Sequence, residues 1–264
     1  MSYKKISLII PAYNQEKGIY KDLQNILKVL KKLQFEYEII VVVDGFSDNT
    51  FSEAKKIRDP KVKVVGYKTN RGKGYAVRYG MVRSTGDVIA FKDAGDDLKS
   101  DSLPLMLAQF EFEDADILIG SKRHPNSQVK YPFYRKVLSW GYQLLIRVMF
   151  GLKVKDTQVG LKIYKKKVLE DVMPRLLVKK FAFDIEMLAV ARRLGYSKIY
   201  EAPVELDFTG VSSITSSNFW LVIFRTLQDT LAVFYRLKIL KYYDDDNKRK
   251  WKFDPELNFR INIG

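Results

Sequence analysis

Asp93, Asp96 and Asp97 follow the apolar run Val88–Phe91 within a few residues. Clustered carboxylates repel one another unless a cation or dense hydrogen bonding compensates. The segment Gly86–Asp97 is therefore a candidate for a divalent ion bridging protein to a diphosphate, with a solvated acidic turn as the competing reading. Pro11-Ala12-Tyr13-Asn14-Gln15-Glu16 offers amides and polar side chains where a strand gives way to a helix, a place suited to phosphate or base recognition, or simply to capping by Asn14. Asp44 can accept hydrogen bonds from a base or ribose, whereas Asp48 and Asn49 read as caps of the next helix. Asn70-Arg71-Gly72-Lys73-Gly74 is a basic glycine turn in which Lys73 can offer charge to a phosphate, although it lacks the Walker spacing. Ser121-Lys122-Arg123-His124, with Tyr131 to Arg135, can hold an anionic acceptor or be an ordinary solvated loop. Asp156-Thr157-Gln158-Val159-Gly160 and Phe183-Asp184-Ile185-Glu186 bring acids and an amide within reach of a sugar, with Glu186 equally readable as a helix-surface charge.

Composition narrows the chemistry. The 264 residues contain no cysteine, which removes disulfides, thiolate zinc sites and cysteine nucleophiles. His124 is the single histidine, so there is no histidine cluster, and no Ser–His–Asp arrangement is visible around it. A divalent ion must be held by carboxylates and substrate phosphates, which points to Mg²⁺ or Mn²⁺. Lysine and arginine number 46 against 31 acids, a formal charge of +15 that implies an anionic partner. The positive residues are dispersed and no RNA-binding signature is present, so no nucleic-acid partner is expected. The opening Met1–Tyr13 does not read as a signal peptide, and no apolar stretch approaches the roughly 20 residues needed to span a bilayer.

The elements that must carry these residues alternate. Ile6–Ile10, Glu38–Val43, Val62–Tyr67 and Val88–Phe91 read as buried parallel strands, with helical patterns over Ile19–Leu33, Thr50–Ile57 and Tyr75–Ser84. This alternation predicts a mainly parallel α/β sheet covered on both faces, with ligands beyond the carboxyl ends of the strands. Further along, Leu103–Phe110, Val137–Phe150 and Phe183–Leu194 are expected helices, Ile117–Gly120 a strand, Ser121–Arg135 a loop, and Lys198–Phe208 a strand with a turn. From Trp220 apolar residues recur at helical spacing. The expected division is a catalytic domain over 1–215 and an amphipathic helix and tail over 216–264, able to lie at a membrane interface, pack on the core, or form a dimer contact.

The ordered series Ile10–Glu16, Glu38–Thr50, Asn70–Met81, Thr85–Asp97, Ser121–His124 and Asp156–Tyr164 resembles the family 2 glycosyltransferases. Within them it is most similar to the dolichyl- or polyprenyl-phosphate sugar synthases, especially the dolichyl-phosphate glucosyltransferase branch, over roughly residues 5–215. The resemblance implies a GT-A (Rossmann-like) fold and transfer from a nucleotide sugar, with UDP-glucose or UDP-N-acetylhexosamine favoured over GDP-mannose. It places Pro11, Ala12, Tyr13, Asn14, Glu16, Asp44, Lys73, Asp93 and Gln158 at the nucleotide sugar. Lys122, Arg123, Arg135 and Ser139 fall at the acceptor phosphate. Asp93 matches the first acid of the metal-binding Asp-x-Asp, and Asp156 lines the sugar. Two departures stand out: the usual acid pair after the second strand is Val43-Asp44, and Asp-x-Asp reads Asp93-Ala94-Gly95. A bulge at Gly95 would let Asp96 serve as second ligand.

The expected reaction is inverting displacement with a dolichyl or polyprenyl phosphate as acceptor, catalysed through Arg123 and Arg135. The alternative acceptor, a saccharide hydroxyl in surface-polysaccharide synthesis, needs a carboxylate base, Asp156 or Asp184. An inactive nucleotide-sugar binder is the remaining alternative. A lipid acceptor would place the enzyme peripherally on the cytoplasmic face of a membrane, alone, as a homodimer, or beside an integral partner.

Overall fold

The computed structural model describes residues 3–95, 98–130, 133–178, 182–207, 219–247, 251–257 and 259–262, excluding the side chains of 129–130, 133–138, 207, 219–220, 222, 259 and 262. Asp96 thus lies outside the described residues. The first half runs β1 (Lys5–Ala12), α1 (Ile19–Leu30), β2 (Glu36–Asp44), α2 (Thr50–Lys55), β3 (Val62–Tyr67), α3 (Lys73–Met81) and β4 (Val88–Lys92). Then come α4 (Ser102–Phe112), β5 (Ile117–Ser121), β6 (Gln128–Lys130), α5 (Phe133–Phe150), β7 (Leu161–Lys165), α6 (Lys166–Val172), α7 (Phe183–Arg193), β8 (Ile199–Pro203) and β9 (Glu205–Asp207). The chain closes with α8 (Phe219–Phe234), a π-helical turn at Tyr235–Ile239, β10 (Trp251–Asp254) and β11 (Phe259–Asn262).

Seven strands form the central sheet in the order β3-β2-β1-β4-β7-β5-β8. All neighbouring pairs are parallel except those made by β7, which runs against β4 and β5. The continuous β-branched runs of β1 and β2 are buried on both faces, as a helix-covered parallel sheet requires. One core lies between the sheet and the α3, α5 and α7 side, around Phe91, Tyr164 and Phe183. The other lies on the α1 and α4 side, around Leu8, Leu23 and Phe110. The expected α/β architecture is therefore present.

Three differences from the sequence pattern matter. The span Ser121–Arg135 is not all loop, because β6 pairs with β9 in a small second sheet and α5 has already begun at Phe133. Leu161–Lys165, read only as the tail of a motif, is an interior strand. After α8 the tail returns to the core, where Tyr243 and Leu257 are buried.

Candidate active site

β1 and β4 are sheet neighbours whose onward connections diverge, β1 leading to β2 on one side and β4 followed across the sheet by β7 on the other. Such a switch point opens a crevice beyond the strands' carboxyl ends. Three of the expected segments meet there. Ala94 N donates to Pro11 O at 3.4 Å, and Asp93 N donates to Gly160 O at 2.8 Å. Those bonds draw the loops after β1 and β4 together with the Asp156–Gly160 segment.

The loop after β1 is laced to the loop after β2. Ser47 Oγ donates to Asn14 Oδ1 at 2.7 Å, Asn49 N to Glu16 Oε2 at 3.1 Å, and Glu16 N to Asp48 Oδ2 at 3.2 Å. Asn14, with a positive φ of 53°, thus serves this inter-loop contact and does not cap α1, whose N-cap residue is Gly18. Asp48 accepts from Thr50 N at 3.0 Å at the start of α2, whereas Asn49, which occupies the N-cap position, makes no side-chain capping bond. Tyr13 projects into solvent, while Ala12 is buried. Asp44, buried at the end of β2, accepts from Arg71 N (2.7 Å), Gly72 N (3.0 Å) and Asn70 Nδ2 (3.1 Å). It anchors the basic turn and thereby places Lys73 at the start of α3.

Lys73 Nζ straddles the Asp93 carboxylate at 2.8 and 2.9 Å and lies 3.6 Å from Asp184 Oδ2. Asp184 is bound in turn by Lys162 Nζ at 2.6 Å, and Lys162 also donates to Val159 O at 2.7 Å. Both ammonium groups sit over the Phe91 ring, at 5.4 and 5.0 Å. Burial works against the charge on Lys73, but the Asp184 and Asp93 carboxylates outweigh it and hold the pKa above the ordinary lysine range. For Asp184, burial is outweighed by Lys162 and Lys73, so its carboxyl titrates below the usual range. Lys162 is pulled down by burial, with Asp184 offsetting only part of the effect. Asp184 is thus a counter-ion between two lysines.

Asp93 approaches Gly160 so closely that a Cβ there would lie 2.1 Å from Oδ2. Glycine is required to admit the carboxylate. The side chain of Asp93 is 44% exposed although Oδ1 is buried, so the carboxylate offers a hard oxygen donor at the crevice. Among the described residues no three acids or histidines are grouped for a metal. This donor set fits a hard cation that takes most of its ligands from phosphate and water.

On the other side of β7, Arg123 Nη2 donates to Ser139 Oγ at 2.8 Å. Lys122 is fixed by Asp156, whose Oδ2 accepts from Lys122 N at 3.2 Å and lies 3.6 Å from its Nζ. Asp156 Oδ1 accepts from Gln158 N at 3.2 Å, so this carboxylate is occupied in shaping its own loop. Arg135 belongs to the first turns of α5, but its side chain lies outside the described residues. Glu186, which could have been a surface charge, is fully buried: it accepts from Leu177 N, Val178 N and Tyr243 OH and ties α7 to the tail.

A model of the family described as "Glycosyl transferase family 2" matches residues 7–173. The chain belongs to glycosyltransferase family 2. A dolichyl-phosphate beta-glucosyltransferase of Drosophila melanogaster is 33% identical over 232 residues, covering 82% of this chain and 70% of that protein. The Homo sapiens protein of the same name is 30% identical over 234 residues, covering 82% and 71%. Among solved structures, the glucosyl-3-phosphoglycerate synthase of Mycobacterium tuberculosis in complex with Mn²⁺, UDP and phosphoglyceric acid superposes with a TM-score of 0.65. It is 16% identical, and the match covers 98% of this chain and 86% of that one. At that identity the likeness establishes the GT-A fold of this glycosyltransferase and nothing finer.

Sequence reasoning included Gly160, Lys162 and Lys92 in its motifs but gave them no role, and it missed the partner Asp22. The signal was available: Lys92 and Lys162 each end or interrupt an apolar strand, where a lysine survives only if paired.

Proposed function

We propose that this glycosyltransferase moves glucose from UDP-glucose to a dolichyl or polyprenyl phosphate, with Mg²⁺ or Mn²⁺ bound. One juxtaposition carries the reading: the Arg123–Ser139 pair and Lys122 lie at the start of an exposed apolar helix face, in a chain whose relatives are named dolichyl-phosphate beta-glucosyltransferases. Arg123, Lys122, Ser139 and Arg135 would hold the acceptor phosphate. Its oxygen is already ionised near neutral pH, so it attacks the anomeric carbon without a general base. The new carbon–oxygen bond forms as the bond to the diphosphate breaks, the nucleotide departs with the electron pair, and the configuration inverts.

On the donor side, the Asn14–Ser47 pair would receive the nucleoside beside the basic turn that Asp44 anchors, and Lys73 the phosphates, with Tyr13, Glu16 and Gln158 completing the enclosure. Asp93 would hold the divalent ion, which when bound offsets charge on the leaving diphosphate. Lys73 then has a second partner in the donor phosphates. A saccharide hydroxyl as acceptor is disfavoured, because Asp184 is neutralised by two lysines and Asp156 is engaged by backbone amides.

The lipid has to be met at a surface. No helix among the described residues is long and apolar enough to cross a membrane. Yet α5 exposes Trp140, Leu144 and Val148 at four-residue spacing, and α8 with the following turn exposes Leu221, Phe224, Leu231, Tyr235 and Ile239. Their inner faces supply Ile146, Phe150, Val233 and Leu237 to the core, and Phe150 meets Phe234 at 6.1 Å. Exposed Arg147, Arg225 and Lys238 accompany these faces. An amphipathic helix with such a face lies in the plane of an anionic bilayer surface, which would make the enzyme peripheral at the cytoplasmic face.

The decisive experiment incubates purified protein with Mg²⁺ or Mn²⁺, a polyprenyl phosphate, and a panel of UDP- and GDP-sugars, followed by mass spectrometry. A glucosyl-phospholipid from UDP-glucose, abolished by Asp93→Asn, is the expected outcome. Product from another donor, or turnover only with a saccharide acceptor, would displace this reading.

A further inference from the structure

A second buried ion pair stands behind the Asp93 turn, on the sheet face opposite Lys162 and Asp184. Lys92 ends β4 and Asp22 sits on the inner face of α1; their side chains are 1% and 2% exposed. Lys92 Nζ donates to Asp22 Oδ1 at 3.0 Å, to Asp93 O at 3.1 Å and to Gly95 O at 3.1 Å. Asp22 Oδ2 accepts from Gly95 N at 3.0 Å. Those bonds from the two side chains to groups outside the pair go to the backbone of Asp93 and Gly95. That backbone is unusual, since Gly95 adopts a φ of +118°, a region that residues with a Cβ rarely adopt.

Burying two charges is expensive, and an apolar pair of similar size often serves a core as well or better. The surrounding residues Ile19, Leu23 and Ala90 are apolar and fully buried, so packing alone gives no reason for charge here. The reason lies in the turn. Asp93 must present its carboxylate past Gly160, and its main chain is held from three directions: by Gly160 O, by Pro11 O through Ala94 N, and by the Asp22–Lys92 pair.

We propose that Asp22 and Lys92 are positioning residues, which fix the Asp93–Gly95 turn so that the Asp93 carboxylate faces the diphosphate and its cation. The pair stabilises through the backbone a geometry that a second chelating side chain at Gly95 would otherwise impose through the ion. This rests on the reading of Asp93 as the cation-holding residue.

The test compares wild type with Asp22→Leu/Lys92→Met, which replaces the pair by apolar groups, and with Asp22→Asn/Lys92→Gln, which keeps a polar bridge without charge. Two quantities are measured: amide hydrogen exchange in the ligand-free protein, and the Mn²⁺ concentration that half-saturates UDP binding by calorimetry. In the apolar variant, the Asp93 and Gly95 amides should exchange at least tenfold faster while those of Leu8 and Ile40 stay protected. Its half-saturating Mn²⁺ should rise at least tenfold, and the polar variant should recover much of both losses. Should the apolar variant fail to fold, the polar variant decides on the same two quantities: both should still stand a few-fold above wild type, because its bonds to the turn are no longer charge-assisted, and wild-type values of either would overturn the role. Unchanged amide exchange at Asp93 and Gly95, or unchanged Mn²⁺ dependence once they exchange freely, would overturn the positioning role. If wild-type UDP binding ignores Mn²⁺, the cation assignment to Asp93 falls, while amide exchange still decides whether the pair holds the turn.

Discussion

The proposed donor and acceptor sides of this glycosyltransferase are built on opposite principles. Around the donor crevice, Asp22, Asp44, Lys92, Lys162 and Asp184 are all buried and all bonded. Around the acceptor end, Trp140 is 64% exposed and Val148 77% exposed, and α8 presents a comparable apolar face. A nucleotide sugar arrives from water and needs fixed charges already oriented for the leaving diphosphate. The proposed acceptor, a lipid phosphate, would arrive from an apolar phase, and the exposed apolar faces of α5 and α8 suit a surface that meets such a phase. On that proposal, the difference teaches that buried, bonded charge serves the soluble ligand and exposed apolar surface serves the lipid.

The sharpest way to break the donor side is a single methyl group. Gly160→Ala would force a carbon to within 2.1 Å of Asp93 Oδ2, so the carboxylate must swing away. Loss of a preorganised charge of this kind costs about 10²–10³ in kcat. Steady-state kinetics should show that loss with the lipid-acceptor KM unchanged and far-UV circular dichroism like wild type. A variant with full activity would mean that the position of Asp93 is unimportant.

Asp184→Asn attacks the same side through its buried charges. It leaves Lys162 buried beside only a neutral amide, and breaking such a pair costs roughly 3 kcal/mol or more. Urea denaturation should register the loss, with donor binding weakened as Lys73 relaxes. A fully stable variant that loses only transfer to a saccharide would restore Asp184 as a base.

How much of this could be read beforehand divides along the same line. The strands from Ile6, Glu38, Val62 and Val88 were legible because each is a short β-branched run closed by polar residues. The crevice residues were legible as ordered motifs. The pairings were not: nothing local says that Lys92 turns to α1 while Lys162 turns to α7, since that follows from strand alternation in a sheet whose order is unknown. β7 was hidden for a related reason, because Leu161–Lys165 carries a lysine in mid-strand and its apolar pattern is broken there. Glu186 looked like a surface charge because the tail residues that cover it, Arg236 and Tyr243, lie about fifty residues onward.

On the acceptor side, effects should be smaller and confined to the lipid. Arg123→Ala removes the guanidinium bonded to Ser139 and should raise the lipid-phosphate KM about tenfold, equivalent to about 1.4 kcal/mol, with donor KM unchanged. An equal rise in both constants would place Arg123 on the donor instead. Leu144→Asp with Val148→Asp should leave the melting temperature near wild type, because both side chains already face solvent. Flotation with anionic vesicles should nevertheless fall several-fold, and the KM should rise for long-chain acceptors while staying level for a water-soluble short-chain phosphate.

The comparison is sharpened last by a residue that belongs to neither side. Glu38 lies at the opposite end of the sheet, where its carboxylate accepts from Ser7 Oγ (2.7 Å), Thr85 N (2.7 Å) and Lys63 Nζ (3.0 Å). Burial alone would raise its pKa, but the bonds from Ser7, Thr85 and Lys63 outweigh burial and hold it at about 2, against an ordinary 4.5. A depressed carboxyl pKa stabilises the fold above the unfolded value and loses that contribution as pH falls toward the folded one. Glu38→Gln should therefore destabilise by about 1–2 kcal/mol at pH 7. The gap to wild type should close between pH 4.5 and 2. Transfer kinetics at pH 7 should not change, because the strand ends that meet substrate lie at the other edge. A loss of activity in a folded Glu38→Gln enzyme would mean that the two edges of the sheet are coupled, and that the donor crevice owes its rigidity to more than the pairs within it.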